Sequence, residues 1–140
     1  MSEWWTAPVE SEDGRLIMVS SRTDVDRFRK NPRFFIRIEI VWSYDTSPEA
    51  GMPCDADAEI MGTATDNFND LFDKDTVAVM TGIYTGAGER TWVFYTLSTP
   101  IFQKKLNEAL APFPLLPLKI TAENDPHWEA YDELQTFEVK

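Results

Sequence analysis

The stretch DPHWEAY, residues 125–131, gathers an acid, a proline, the only histidine of the chain and two large aromatic side chains. Aromatic anchors favour interfaces, so one interpretation is a ligand or partner pocket lined by His127, Trp128 and Tyr131. Binding there would use the rings as the contact surface and the imidazole as the polar group.

A structural interpretation of the same stretch is a short helix that closes the fold. Asp125 is a good N-cap, and Pro126 suits the first helical position. Trp128 and Tyr131 then lie on one face, where their rings bury apolar area and keep a polar atom near water. We favour this interpretation and predict a helical turn that presses both rings onto the core.

Few other residues have the types that catalysis or metal binding needs. Cys54 lies among acidic residues, which do not activate a thiol nucleophile. Residues 55–66 carry acids at four places of a calcium loop, but Ile60 stands where the loop needs glycine. These acids more simply occupy a helix N-terminus, and only an all-carboxylate metal site stays open. We therefore predict no catalytic residue, no metal and no cofactor.

The formal net charge is −11, from 24 acidic and 13 basic residues. This charge repels phosphate backbones and anionic membranes and attracts basic surfaces. The strand sequence ERTWVFYT, residues 89–96, carries alternating aromatics as RNA-binding sheets do, but it lacks their basic-glycine opening. We expect no contact with nucleic acid or membrane, and a protein partner that is basic.

A length of 140 residues fits one domain with its own core. No apolar run approaches the roughly 20 residues that span a bilayer. The first residues lack the basic start and apolar stretch of a secretory signal, and a single cysteine fits a reducing compartment. We expect a cytoplasmic protein.

The hydrophobic pattern predicts a strand and a short helix before the main elements. Residues 15–20 form that strand and residues 23–32 the short helix. Residues 33–44 form the clearest strand, since every even position from Phe34 to Tyr44 is apolar or aromatic.

The remaining pattern predicts two long helices and three more strands. Residues 54–75 repeat apolar side chains at a spacing of four, which is typical of an amphipathic helix. Two strands joined by TGAGE, residues 85–89, form a hairpin. Ser98 caps the second long helix. Residues 114–121 form a last strand, which two prolines restrict to a sheet edge.

From residue 33 onward, this order is the split βαβ, ferredoxin-like pattern, an α+β fold with an antiparallel sheet and two long helices on one face. We assign a single domain over 1–140, with an N-terminal strand-helix extension over 1–32, a ferredoxin-like core over 33–121, and a C-terminal helical turn and tail over 122–140.

The outer face of the sheet distinguishes two classes of function. The odd positions of the 33–44 strand mix apolar and charged residues, including Arg37 and Glu39, as in a face covered by another segment or a partner. Trp4 and Trp5 are candidates for that cover. An uncovered face would offer an apolar docking patch, whereas a deep pocket with two close, buried carboxylates would favour an enzyme.

Several short motifs recur in an order that resembles a known family. MSEWWTAP, IEIVWSYDT followed by GMP, RTWVFYT, FQKKLNEAL and DPHWEAY follow one another from Trp4 to Tyr131. In order and spacing they resemble a bacterial family of uncharacterised proteins, domain of unknown function 695. The resemblance spans essentially the whole chain and implies neither an activity nor a catalytic residue.

We expect a non-catalytic binding or regulatory domain that contacts a protein partner. The alternative is an enzyme whose site combines carboxylates and aromatics without a local signature. The candidate contact residues are Asp125, His127, Trp128 and Tyr131 of the DPHWEAY stretch, Arg37 and Glu39 of the central strand, and Asp66, Asp70 and Asp73 of the first long helix. The oligomeric state stays open.

Overall fold

The structure is a computed structural model and describes residues 3–44, 51–74 and 77–138. Within these ranges the chain is a mixed α+β fold with a six-stranded antiparallel sheet and four helices. The strands are β1 (Trp4–Glu10), β2 (Leu16–Arg22), β3 (Ile36–Ser43), β4 (Ala78–Gly86), β5 (Glu89–Thr96) and β6 (Leu118–Asn124). The helices are α1 (Asp26–Arg29), α2 (Asp55–Lys74), α3 (Thr99–Leu110) and α4 (Glu129–Gln135).

The strands lie in the order β1-β2-β4-β5-β3-β6, and each neighbouring pair is antiparallel. The apolar alternation of β3 suits its internal position between β5 and β6. β4 and β5 form the predicted hairpin, which turns at Ala87 and Gly88 with φ of 52° and 84°. The two outer strands are β1 and β6.

The helices α2 and α3 pack together on one face of the sheet. Ser98 caps α3, because its side chain accepts a hydrogen bond from the Ile101 amide at 3.3 Å. Phe68 of α2 contacts Trp92 and Phe94 of β5 edge-on, with ring centroids 5.5 and 5.6 Å apart. This first layer buries the even positions of β3 together with the apolar stripes of both helices; its fully buried members include Ile38, Ile40, Met61, Ala64, Phe68, Trp92, Phe94, Phe102, Leu106 and Ala109.

The helices α1 and α4 cover part of the other face and build a second layer. Residues from both ends of the chain meet there around Val19 and Tyr95. Phe34 belongs to this layer and packs edge-on against Phe28 at 5.4 Å. The expectation that Phe34 shares the β3 stripe was wrong, because the chain joins the sheet only at Ile36.

The N-terminal extension contains a second strand that the sequence pattern did not predict. β1 pairs with β2 from Trp4↔Arg22 to Glu10↔Leu16 and widens the sheet. The presence of Pro8 argued against a strand here, because proline cannot donate to a ladder and is tolerated only at edges. Neighbouring strand residues face opposite sides, so Trp4 packs on the first layer and Trp5 on the second.

Three predicted boundaries need correction. The helix α1 covers only Asp26–Arg29, within the predicted 23–32. β6 spans Leu118–Asn124 rather than the predicted 114–121, because Pro114 and Pro117 cannot donate to a ladder and the chain pairs with β3 only from Leu118. The helix α4 begins at Glu129 because Trp128 adopts a left-handed backbone conformation, with φ of 55° and ψ of 41°.

Within residues 3–44, 51–74 and 77–138, no helix has the length and apolar composition needed to cross a membrane.

Candidate functional site

Asp125 lies at the centre of a buried cluster between β6 and α4. Its side chain accepts hydrogen bonds from the Tyr95 hydroxyl at 2.6 Å and from the amides of Glu129 and Ala130 at 3.0 and 3.1 Å. The Arg37 Nη1 atom lies 3.3 Å from Asp125 Oδ2. The carboxylate therefore caps α4 as predicted for an N-cap group, although it reaches the helix across a turn rather than from the adjacent position.

These contacts determine the protonation of the cluster. Burial would raise the pKa of Asp125, but the Tyr95 hydroxyl, two helix amides and Arg37 outweigh it and hold that pKa below its usual range. Burial, together with the hydrogen bond to Asp125, raises the pKa of Tyr95. At neutral pH the ionised Asp125 carboxylate therefore accepts a hydrogen bond from the protonated Tyr95 hydroxyl. This hydrogen bond is structural.

Trp128 is a core residue of the second layer. Its ring is 1% exposed and stacks on Tyr95 with centroids 4.0 Å apart. Its Nε1 atom donates to the Phe34 carbonyl at 2.7 Å. Tyr131 contacts Trp128 edge-on and donates its hydroxyl proton to the Arg22 carbonyl at 2.7 Å. The contacts favour the structural interpretation of DPHWEAY, since Trp128 presents no free ring face to a ligand.

His127 lies at the surface beside this cluster. Its carbonyl accepts a hydrogen bond from Arg29 at 3.3 Å, and Arg29 also pairs with Asp132 through two contacts of 2.7 and 2.8 Å. Cys54 is exposed and lies just before α2. That helix packs on the face of the sheet opposite His127 and the Asp125 cluster. Across the described ranges, no three His, Cys, Asp or Glu side chains are grouped closely enough to hold a metal ion.

A groove of about 360 Å³ runs beside α4 on the second face of the sheet. Its Glu39 side chain is 35% exposed and lies 3.0 Å from Arg37. Glu133, on the α4 side, is exposed. The groove therefore lacks the two close, buried carboxylates that would indicate an enzyme. Its polar lining consists of Arg37, Glu39, Thr81, Tyr84, Thr91 and Glu133.

Tyr84 and Arg37 both line the groove but differ in whether a polar atom can reach a ligand. Burial, with the nearby charges of Glu133 and Glu39, raises the pKa of Tyr84 to about 12. Its hydroxyl therefore stays a donor at neutral pH. The Nε atom of Arg37 is buried and lies 3.0 Å from Glu39 without hydrogen-bond geometry, so a ligand in the groove cannot reach it.

The exposed side of α2 carries a row of carboxylates, which we name the acidic stripe: Asp55, Glu59, Asp66, Asp70 and Asp73. At 100° per residue these positions fall within about 60° of arc, and they extend over roughly 27 Å of helix. Among the described residues only Asp73 of this set has an ion pair, with Arg22 at 3.3 Å.

The structure brings one group of predicted contact residues together and places the other group on the opposite face of the sheet. Arg37, Asp125, Trp128 and Tyr131 meet around α4, with Glu39 and His127 at the margin of that group. The aspartates Asp66, Asp70 and Asp73 lie on α2, which packs on the opposite face.

Sequence reasoning missed two groove residues, Tyr84 and Thr91. The signal for them was present, because a hairpin that turns at Ala87 and Gly88 sets Tyr84 opposite Thr91. Glu133 was also missed, and only the placement of α4 on the sheet reveals it.

Comparison with known proteins gives a family but no activity. A solved structure of a conserved hypothetical protein from Aquifex aeolicus is 12% identical, covers 88% of this chain with a TM-score of 0.28, and is matched over 50% of its own length. This chain thus spans half of that protein, and a score this low does not establish a common fold. No curated protein matches the sequence. The resemblance noted from the motifs is confirmed by a family model that matches residues 3–135, and the chain belongs to the family of unknown function DUF695.

Proposed function

We propose that this protein is a non-catalytic binding domain that contacts a basic protein partner through the acidic stripe. The observation that carries the proposal is the alignment of five carboxylates along one side of α2, of which one has an ion pair among the described residues. Like charges three and four residues apart on a helix destabilise it. A basic partner surface would remove that repulsion.

Exposed bases occur on both layers, since Lys74 ends α2 and Lys104 lies on α3, but no base lies on α2 between Asp55 and Asp73. Three exposed bases, Arg27, Lys30 and Arg33, lie on or just after α1, which belongs to the second layer. The acidic stripe is on α2 and therefore on the first layer. A partner with a row of Lys or Arg would be attracted to the α2 side, and the net charge of −11 would speed the encounter at low salt.

The test compares two variants with the same change in net charge. The stripe variant carries Asp55→Asn, Glu59→Gln, Asp66→Asn and Asp70→Asn, and it keeps Asp73 because that residue pairs with the buried Arg22. The control variant carries four neutralising changes at exposed glutamates away from α2: Glu10→Gln, Glu12→Gln, Glu129→Gln and Glu138→Gln.

Each immobilised protein is incubated with bacterial lysate, washed at low and then high salt, and the captured proteins are quantified by mass spectrometry. We expect a basic protein that binds the wild type and the control variant, leaves at high salt, and does not bind the stripe variant. The purified protein should then bind the wild type in calorimetry. Equal capture by the stripe variant would contradict the proposal.

A second candidate function rests on the groove beside α4. The protonated Tyr84 hydroxyl and the carboxylate of Glu39 line one volume of about 360 Å³. This combination suits a small polar molecule with acceptor and donor groups and would correspond to an enzyme site of carboxylates and aromatics.

A thermal-shift screen of polar metabolites would test this second candidate. A compound that stabilises the wild type and the stripe variant, but not Tyr84→Phe, would support the groove. A compound that stabilises Tyr84→Phe as much as the wild type does not depend on the Tyr84 hydroxyl. Such a compound would not support binding in the groove.

We propose further that β3, α2, β4, β5, α3 and β6 form a ferredoxin-like unit. The strand order β6-β3-β5-β4 supports this, because α2 joins β3 to β4, α3 joins β5 to β6, and both helices lie on one face. We also propose a cytoplasmic location, which the single cysteine supports.

A further inference from the structure

The outer edge of β6 has free backbone groups. The Asp125 amide donates to the Phe35 carbonyl at 2.7 Å, and the β3–β6 register places these two residues opposite each other. The odd-numbered residues of β6 therefore direct their backbone groups at β3. The even-numbered residues direct theirs outward, and no described strand pairs with that edge. These are Leu118, Ile120, Ala122 and Asn124, of which Leu118 already donates its N–H to the Leu116 carbonyl at 2.9 Å.

The sequence of this edge is complementary to itself. If a second β6 pairs antiparallel with the first about Thr121, Lys119 of each copy lies opposite Glu123 of the other. In the same register Ile120 lies opposite Ala122, and both have outward backbone groups that can form the ladder. An exposed lysine usually discourages pairing at an edge, but this register gives it an opposite charge.

Both charged residues are available for that contact. Lys119 is exposed and has no ion pair among the described residues. Glu123 is 67% exposed and uses Oε2 to accept from Arg37 at 2.7 Å, which leaves Oε1 for a second cation.

The helix side of the same edge is apolar, and none of the described residues covers it. A groove of about 400 Å³ lies between α3 and β6, with Leu110, Phe113 and Leu116 in its wall. Ile120 is 40% exposed and Leu115 is fully exposed beside it. A second copy placed by the β6 ladder brings its own Ile120 to this side, so apolar burial would add to the backbone hydrogen bonds.

The opposite edge of the sheet lacks these features. β1 contains Pro8, which has no N–H to donate, and it carries no Lys-Glu pair that would align across a two-fold axis. Of the two outer strands, β6 is the one suited to pairing.

We propose that two copies of this protein associate through antiparallel pairing of β6 with β6 about Thr121, which joins the two six-stranded sheets into one. The partner is a second copy rather than another protein because the charges and the apolar residues of the edge complement themselves. The two-fold axis passes beside Thr121, and the α3 helices of both copies lie on the same side of the joined sheet.

Charge exchange at Lys119 and Glu123 tests the pairing. Lys119→Glu removes no ion pair among the described residues, whereas Glu123→Lys also removes the contact with the partly buried Arg37. In Lys119→Glu, each contact in a homodimer becomes Glu against Glu, and in Glu123→Lys each becomes Lys against Lys. A mixture of the two variants restores opposite charges at both contacts of the heterodimer. The control is Arg15→Glu, which makes the same change in charge next to the β1–β2 turn at the far edge of the sheet.

Sedimentation equilibrium of the full chain measures the dimer, and circular dichroism checks that each variant is folded. We expect a dimer for the wild type and for Arg15→Glu, and a dissociation constant at least about tenfold higher for each single variant. Fluorescence energy transfer between differently labelled variants should show that the mixture recovers dimers. A wild type that stays monomeric at about 100 μM would overturn the proposal, as would a dimer that neither variant weakens.

Discussion

Trp128 stacks on Tyr95 with ring centroids 4.0 Å apart and ring planes inclined by 15°, while the edge of its indole hydrogen-bonds to the Phe34 carbonyl. One side chain therefore joins the turn before α4 to the central strand β5 and to the segment that leads into β3. The left-handed backbone of Trp128 costs roughly 1–2 kcal/mol, which these contacts must exceed.

Replacing Trp128 tests how much the second layer contributes to stability. We expect Trp128→Ala to lower the free energy of unfolding by about 3–5 kcal/mol, because it leaves a cavity and an unpaired buried carbonyl. Trp128→Phe keeps a ring against Tyr95 and should lose less. Urea denaturation at neutral pH measures both. Unchanged stability in Trp128→Ala would show that the ring is not part of the core.

The hydrogen bonds to Asp125 should make stability depend on acid pH. The folded pKa lies below the ordinary value of 3.8, so the unfolded state binds more protons and stability rises with pH in this range. The contribution is complete above about pH 4 and is lost as the pH falls through the folded pKa.

We therefore expect Asp125→Asn to be less stable than the wild type at neutral pH, by about 1–3 kcal/mol, with a difference that shrinks as the pH falls through the folded pKa. Thermal unfolding across this pH range measures the effect. Asp26→Asn is the control, since Asp26 is exposed outside the cluster. A constant difference at all pH values would contradict the role of ionisation.

Replacing Gly86 and Gly62 with alanine should change the free energy of unfolding in opposite directions. Gly86 has a φ of 153°, and an added Cβ would meet the Leu16 carbonyl and lie 2.9 Å from the Ile17 Cα atom. Gly62 is an exposed position of α2 with nothing within 4 Å of an added Cβ.

We expect Gly86→Ala to lower the free energy of unfolding by about 2–4 kcal/mol and Gly62→Ala to raise it by about 0.5–1 kcal/mol. Chemical denaturation of both variants tests the hairpin and helix geometry together. A stabilising Gly86→Ala would mean that β2 does not approach Gly86 of β4 as closely as described.

The two acids that pair with the buried Arg22 should contribute differently to stability. Its side chain is 5% exposed and contacts Asp24 through Nε at 2.9 Å and Nη2 at 3.3 Å, whereas Asp73 supplies one contact at 3.3 Å. We expect Asp24→Asn to cost about 1–3 kcal/mol and Asp73→Asn less than about 1 kcal/mol. Equal losses in denaturation experiments would place Asp73 among the structural acids.

The parts of the fold that could be predicted depend on local pattern. The alternation of β3, the apolar stripe of α2, the Ser98 cap and the glycine-containing hairpin are each visible within a few residues. β1 was missed because its pairing with β2, rather than its own half-buried sequence, makes it a strand. The start of α4 was misplaced because tertiary packing, not propensity, holds Trp128 in its left-handed conformation.

The site was partly predictable for the same reason. The capping role of Asp125 follows from its residue type and its place before a helix. Its contact with Arg37 depends on the register of β6 against β3, and its contact with Tyr95 depends on the strand order, neither of which appears in the sequence. The groove beside α4 requires the packing of that helix and could not be inferred before the fold was known.

The second layer joins segments that are far apart in the sequence and are therefore synthesised at different times. Arg29 and Asp132, which tie α1 to α4, are 103 residues apart in the chain. A nascent chain therefore keeps Phe34 and the ring of Tyr95 uncovered until residues 128–134 have left the exit tunnel. Chaperones that recognise apolar strands would have this face available until α4 packs onto it.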